Sequence, residues 1–220
     1  MNLVDFILDN QGYYEDFLTR FTYHSNAIEG STLTYAETYA ILFNDNTFKI
    51  DQKEPRKIYE AINHKKAMLL LLDKLKSKDN SLTEAFIKQI NEIINCDILN
   101  TKGYRNVKVM IRGSEHIPPE PEKINNLMLY FVYYYNNSVD DDIFEKVAKY
   151  HIEFESIHPF EDGNGRTGRL LINFELLKNN IFPIVIPKEE RIKYFEYLRN
   201  KDVIGLSNWL RELSDNEKKE

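Results

Sequence analysis

Apolar residues recur three and four positions apart over most of this chain, in segments 13–28, 55–76, 83–99, 122–136 and 143–157 and again in 164–180, 188–199 and 203–213. That period puts an apolar stripe on one face of a helix, so the pattern predicts an all-α protein. Two helix starts carry the spacing of a capping box, Thr34 with Glu37 and Ser81 with Glu84, in which each side chain satisfies an orphan backbone donor of the other. One stretch breaks the helical period. Val107, Val109 and Ile111 alternate with Lys108, Met110 and Arg112 between Gly103 and Gly113, which predicts a short β-hairpin or flap. The three prolines in 114–121 forbid a helix there and predict a stiff loop into the next one. The tail, 215–220, is expected to fray.

Composition narrows the class. With 220 residues, 42% of them hydrophobic, the chain can bury one sizeable core, and the prior favours one compact domain. The single cysteine, Cys96, excludes an intrachain disulfide and a paired-cysteine metal site, and is expected to pack in a helix as a small apolar residue of a reducing compartment. No apolar run is long enough to span a bilayer, and the acidic first residues do not resemble a secretion signal, so the expected location is cytoplasmic. A formal charge of −6 argues against long nucleic acid as a partner but leaves room for a local phosphate site.

Candidate chemistry concentrates in residues 158–169, HPFEDGNGRTGR. Gly163, Gly165 and Gly168 fit the spacing of a dinucleotide-binding turn, but an amphipathic helix precedes them where that turn requires a buried strand. Pro159 stops the preceding helix, and Gly163-Asn164-Gly165 permits a tight turn whose backbone N–H groups face one concavity at the next helix start. Arg166 and Arg169, three apart, share a face over that cradle and suit a di- or triphosphate. Asp162 is placed to hold Mg²⁺ together with substrate phosphates, as a single protein carboxylate commonly does. His158, with an ordinary pKa of about 6.5, suits a general base.

The segment resembles the signature of the Fic family, HPFx(D/E)GNGRxxR, with every defining position filled. The resemblance implies a helical bundle with a β-hairpin flap and transfer of AMP from ATP to a Ser, Thr or Tyr hydroxyl of a target protein or of the chain itself. By the same resemblance His158 takes the hydroxyl proton, Asp162 holds Mg²⁺ between the α- and β-phosphates, and Phe160 anchors the loop. Gly163, Asn164 and Gly165 bind phosphate oxygens, and Arg166 and Arg169 hold the β- and γ-phosphates. Glu161, often apolar in relatives, adds a second carboxylate beside the metal, with Asp162 the favoured ligand. Tyr194 and Tyr197 either line the adenine pocket, as in relatives, or fill the core. The edge formed by Val107, Val109 and Ile111 would pair with an extended target segment, or serve only as a structural ribbon.

Upstream, Ser25-Asn26-Ala27-Ile28-Glu29-Gly30 resembles the family's inhibitory motif, (S/T)xxxE(G/N). This implies that Glu29, supported by Ser25, pairs with Arg169 and keeps the γ-phosphate from its productive place. Read alone, Glu29 would be a solvated residue before a helix-ending glycine. The expected organisation is an N-terminal region with the inhibitory helix in 1–54, a Fic core in 55–200 with its flap at about 103–113, and a C-terminal helix and tail in 201–220. Three other functions stay open: a phosphotransferase of the Doc type, which typically carries lysine where Gly165 stands; a hydrolase that removes AMP; and a nucleotide-binding interaction module. His151, seven residues before His158, is expected to pack, since no third ligand stands at metal spacing. Tyr133, Tyr134 and Tyr135 are expected to pack on a helix with one ring exposed.

Overall fold

The computed structural model describes residues 2–45, 54–77, 79–100, 102–111, 115–139 and 142–219. Among them are ten α-helices: α1 (Leu3–Asp9), α2 (Gln11–Ile28), α3 (Tyr35–Phe43), α4 (Pro55–Lys76), α5 (Glu84–Ile94), α6 (Pro121–Asn137), α7 (Ile143–Ile157), α8 (Asn164–Lys178), α9 (Arg191–Asn200) and α10 (Val203–Glu217). Short α1 and α3 fall outside the periodic segments, because seven and nine residues are too few for a repeat to stand out.

α8 is the central element. Leu170, Phe174 and Leu177 join one core with residues of α1, α2, α4, α5 and α6, while Ile172 and Leu176 join a second with α7, α9 and α10. A helix apolar on all sides belongs inside a bundle. Two of its buried polar residues are paired across the core: Glu175 accepts from Tyr135 (2.6 Å) and Lys146 (2.8 Å), and Asn173 exchanges two hydrogen bonds with the backbone of Ile184. Its first turn is buried as well, with Asn164, Arg166 and Thr167 each 2% exposed or less, and follows the C-terminal end of α7 after six residues, so the fold brings residues 158–169 to one place.

Several expectations need correcting. Thr34 and Glu37 form the expected capping box, but α5 is capped by Thr83, which accepts from Phe86 N, while Ser81 bonds to Asp79. α5 also ends early, at Ile94, where Asn63 of α4 donates to the carbonyls of Ile94 and Cys96; Cys96 is exposed in the turn that follows. Tyr133 and Tyr134 are both exposed, and only Tyr135 packs inward. The expected hairpin is absent among the described residues, which include no strand; Arg112 and Gly113 lie outside them. The alternation of Val107, Val109 and Ile111 makes no sheet, since no other strand stands among the described residues to pair with it. Instead Arg105 ties the segment down, donating to the carbonyls of Val107 (2.9 Å), His158 (2.8 Å) and Pro119 (2.6 Å) while its own N–H bonds Pro159 O (2.9 Å).

Candidate active site

His158 closes α7 in a left-handed conformation (φ 50°), with its N–H on Phe154 O at 2.9 Å. A non-glycine residue there is uncommon and turns the side chain off the helix path. Burial pushes the imidazole down to about 4, although the Glu155 carbonyl, Glu29 and Asp162 pull the other way. It is therefore neutral at physiological pH, the form that accepts a proton. Arg105 binds the carbonyls of His158, through Nε, and of Pro159, through its backbone N–H, one of the missed features of the site: a lone arginine before an alternating run gives no sequence signal of burial, yet it is 3% exposed.

The loop from Phe160 to Gly163 is held by amides. Asn164, expected on phosphate oxygens, instead spends both ends of its side chain on Phe160, accepting from its N–H and donating to its carbonyl at 2.9 Å each. From α5, Asn91 and Asn95 both donate to Asp162 O, at 2.9 and 3.0 Å. The signal for these two was an Asn pair four apart on a helix whose Ile87, Ile90 and Ile94 are buried. Gly163 (φ 79°) caps α8, where a Cβ would press on Asn91, Asn95 and Ile94 at 3.0 to 3.2 Å. Phe160 is buried against Tyr104 and Phe154, the anchor expected of it.

Over the helix start, Arg166 is 2% exposed, and its Nε and Nη1 make no hydrogen bond among the described residues. Its Nη2 lies 3.4 Å from Asp162 Oδ1. Buried donors without partners cost free energy unless a ligand or water meets them, and Arg166 stands in the first turn of α8. Asp162 is held below its ordinary value: burial raises it, but Arg166, the Gly163 N–H and Arg56 together outweigh that. Its outer oxygen, Oδ2, already attracts a cationic group, Arg56, at 2.5 Å. The described residues contain no group of three or more His, Cys, Asp or Glu that could hold a metal. A lone ionised carboxylate beside a phosphate cradle fits Mg²⁺, which keeps waters and takes phosphate oxygens. Glu161 is only partly buried in the same loop.

Arg169 is fully buried and reaches α2. Its Nε donates to Ser25 Oγ (3.0 Å), and its Nη2 donates to Ser25 O (2.9 Å) and Glu29 Oε1 (2.8 Å). Burial opposes its charge, but the charge of Glu29 and the hydrogen bond to it outweigh that and hold it protonated. Glu29 is the C-cap of α2, and Gly30 (φ 93°) ends the helix so that the carboxylate turns inward. Arg191 Nε donates to Ile28 O at 2.8 Å, fixing this helix end against α9.

Beside the cradle lies a cavity of about 490 Å³, lined by Ile111, His116 and Glu155 and, from α9, by Phe195, Leu198 and Arg199. Tyr194 is not among its walls. It is fully buried, its hydroxyl 2.7 Å from His151 Nε2, and Tyr197 packs against Trp209. α9 turns Phe195 and Leu198 to the cavity instead. Burial lifts Glu155 to about 8, against the pull of Arg169, so its carboxyl is neutral at pH 7.

A helical bundle with this histidine turn, glycine cradle and arginine pair defines the Fic class. Residues 81–176 match the model of the Fic/DOC family, and the chain carries a domain of that family. Among curated relatives it is 32% identical over 198 residues to protein adenylyltransferase Fic of Aedes aegypti and 34% identical over 184 residues to that of Nematostella vectensis. These alignments cover 88% and 80% of this chain but 39% and 41% of the relatives, so the chain spans about two-fifths of their length. Among solved structures, a Fic-domain-containing signaling protein of Bacteroides thetaiotaomicron superposes with a TM-score of 0.85 at 27% identity, covering 94% of this chain and 87% of that one. A Fic-1 fragment from C. elegans gives 0.77 at 26% identity, covering 90% and 59%. No helix among the described residues is long and apolar enough to cross a membrane.

Proposed function

We propose that this chain transfers AMP from ATP to a Ser, Thr or Tyr hydroxyl of a protein, and that Glu29 restrains the transfer. The observation that carries the reading is the 2.8 Å contact between Glu29 and Arg169, residues 140 positions apart, inside a phosphate cradle beside a neutral His158. The relatives named protein adenylyltransferase support the same activity. ATP would lie with its polyphosphate on the N-terminus of α8, against Arg166 and Arg169, and its nucleoside in the cavity before Phe195 and Leu198, whose volume suits a ligand of that size. Asp162 would hold Mg²⁺, which neutralises phosphate charge when bound. His158 takes the proton from the target hydroxyl as its oxygen bonds the α-phosphorus; the bond from that phosphorus to the bridging oxygen breaks, and pyrophosphate leaves. With Glu29 on Arg169, that guanidinium is not free for the γ-phosphate.

Incubation of the protein with ATP labelled at either the α- or the γ-phosphate tests the reading. Label on protein from the α-position alone supports AMP transfer. Label from the γ-position alone replaces it with phosphorylation, and binding without transfer by a Glu29→Gly variant would leave an interaction module.

A further inference from the structure

Arg56 lies outside the matched family segment and outside both motifs, yet it reaches the centre of the site. It is the second residue of α4, after Pro55. Its Nε donates to Glu60 Oε1 at 3.0 Å and its Nη2 to Asp162 Oδ2 at 2.5 Å. Glu60 is 6% exposed, accepts from Lys57 Nζ at 3.2 Å and stands 3.9 Å from Arg166 Nη1. One carboxylate oxygen of Asp162 is therefore committed to the loop through Gly163 N (2.6 Å) and Arg166, while Arg56 covers the other. A Mg²⁺-like cation needs a carboxylate lone pair at about 2.0–2.1 Å, in the space the guanidinium fills.

We propose that Arg56 is a displaceable counter-ion of Asp162, holding the outer oxygen when no metal is present and yielding it to a divalent cation. The inference rests on the assignment of Asp162 as the metal-holding residue. Three observations carry it. The Arg56 side chain is 48% exposed and that of Asp162 35%, so the contact is screened and cheap to break. Glu60, buried, keeps the Nε–H of Arg56, so the guanidinium can release Asp162 through Nη2 without leaving the site. Glu60 also balances Arg166 from behind, so the swing of Arg56 does not strip the phosphate-facing arginine of its counter-charge. Arg56 is thus a positioning residue that sets how much metal the site needs.

The test is a Mn²⁺ titration of the full chain without nucleotide, followed by EPR of free Mn²⁺ and by paramagnetic broadening of the Gly163 and Gly165 amide signals. Arg56→Gln is expected to reach half-broadening at about three- to tenfold lower Mn²⁺ than wild type, since one exposed ion pair and one cation's repulsion are removed. Asp162→Asn is expected to abolish the broadening. Arg56→Met, which keeps the aliphatic stem, serves if the glutamine variant misfolds. An unchanged or higher Mn²⁺ requirement in the Arg56 variants, with broadening lost in Asp162→Asn, overturns the displacement alone. Broadening that survives in Asp162→Asn overturns the metal assignment and the inference with it.

Discussion

Gly165 leaves the space that Glu29 occupies: a Cβ built on Gly165 would lie 2.3 Å from Glu29 Oε1 and 3.0 Å from Arg169 Nη1. The missing side chain at Gly165 thus lets the α2 carboxylate reach its arginine. A longer side chain there, the lysine associated with the Doc type, would collide with this contact.

Gly165→Ala should therefore change sign with its partner. In the wild-type background the added methyl pushes on the Glu29 carboxylate and is expected to be neutral or to destabilise by about 1–2 kcal/mol. In a Glu29→Gly background the collision is gone, and alanine in a helix is expected to stabilise by about 0.5–1 kcal/mol. Denaturant unfolding of the four proteins gives the cycle; additive effects would mean that the two residues do not meet in solution.

Glu29→Gly should raise α-label transfer, by about 10²-fold if the brake acts through misplacement of the reacting phosphate. The backbone cost of glycine at this helix cap is about 1 kcal/mol or less, but the buried Arg169 also loses its carboxylate and keeps only Ser25, so unfolding is measured beside transfer. In an Arg169→Ala background the same substitution should give little gain. Wild-type transfer by Glu29→Gly in the presence of a competent target would dispose of the brake.

His158→Ala should lower transfer by about 10²–10⁴-fold while calorimetric ATP binding stays near wild type. The cradle and arginines that meet phosphate make no hydrogen bond to the imidazole, so binding and chemistry separate. Undiminished transfer would show that another group takes the proton.

Arg105→Lys should destabilise the fold by about 2–4 kcal/mol and depress transfer together. An ammonium cannot reproduce a fork that meets the carbonyls of Val107, His158 and Pro119 from three nitrogens, and it leaves carbonyls at the end of α7 unpaired. Melting temperature and label transfer should fall in the same variant; a stable but inactive protein would place Arg105 in catalysis instead.

Acid should unfold the protein through its histidines. Burial lowers His64 and His151 to about 3 and His158 to about 4, with nearby arginines adding to the effect. These folded values lie below the ordinary 6.5, so the stability they contribute is complete above that pH and is lost as pH falls through 6.5 toward 3–4. Glu155, raised to about 8 from 4.5, acts in the opposite sense: its contribution is complete below 4.5 and is lost as pH rises through 8. Near pH 5 to 6 the unfolded chain thus binds about two more protons than the folded one, and stability should fall by roughly 2–3 kcal/mol per pH unit. Denaturant unfolding at pH 7, 6 and 5 measures the slope, and a flat profile would contradict the burial of these rings.

Much of the helical order was legible because long amphipathic helices repeat their pattern many times. α4 and α7 match their periodic segments, 55–76 and 143–157, at both ends. The turn between α7 and α8 was legible because a proline and closely spaced glycines leave few backbone solutions. The flap was misread, since alternation reports strand geometry only where a neighbouring strand can pair, and Arg105 holds this segment by its side chain instead.

What the sequence by itself determined is local: a helical bundle, a glycine turn with two arginines at 163–169, a histidine at the preceding helix end, and a glutamate before a helix-ending glycine. Only the tertiary structure decided which distant side chains meet that turn. Glu29 stands 140 positions from Arg169, Arg56 stands 106 from Asp162, and Asn91 stands 71 from the Asp162 carbonyl it holds. Sequence periodicity specifies which face of a helix is buried. It does not specify which other helix covers that face, because burial of apolar surface is non-directional, and the partner is chosen only when all the helices pack at once.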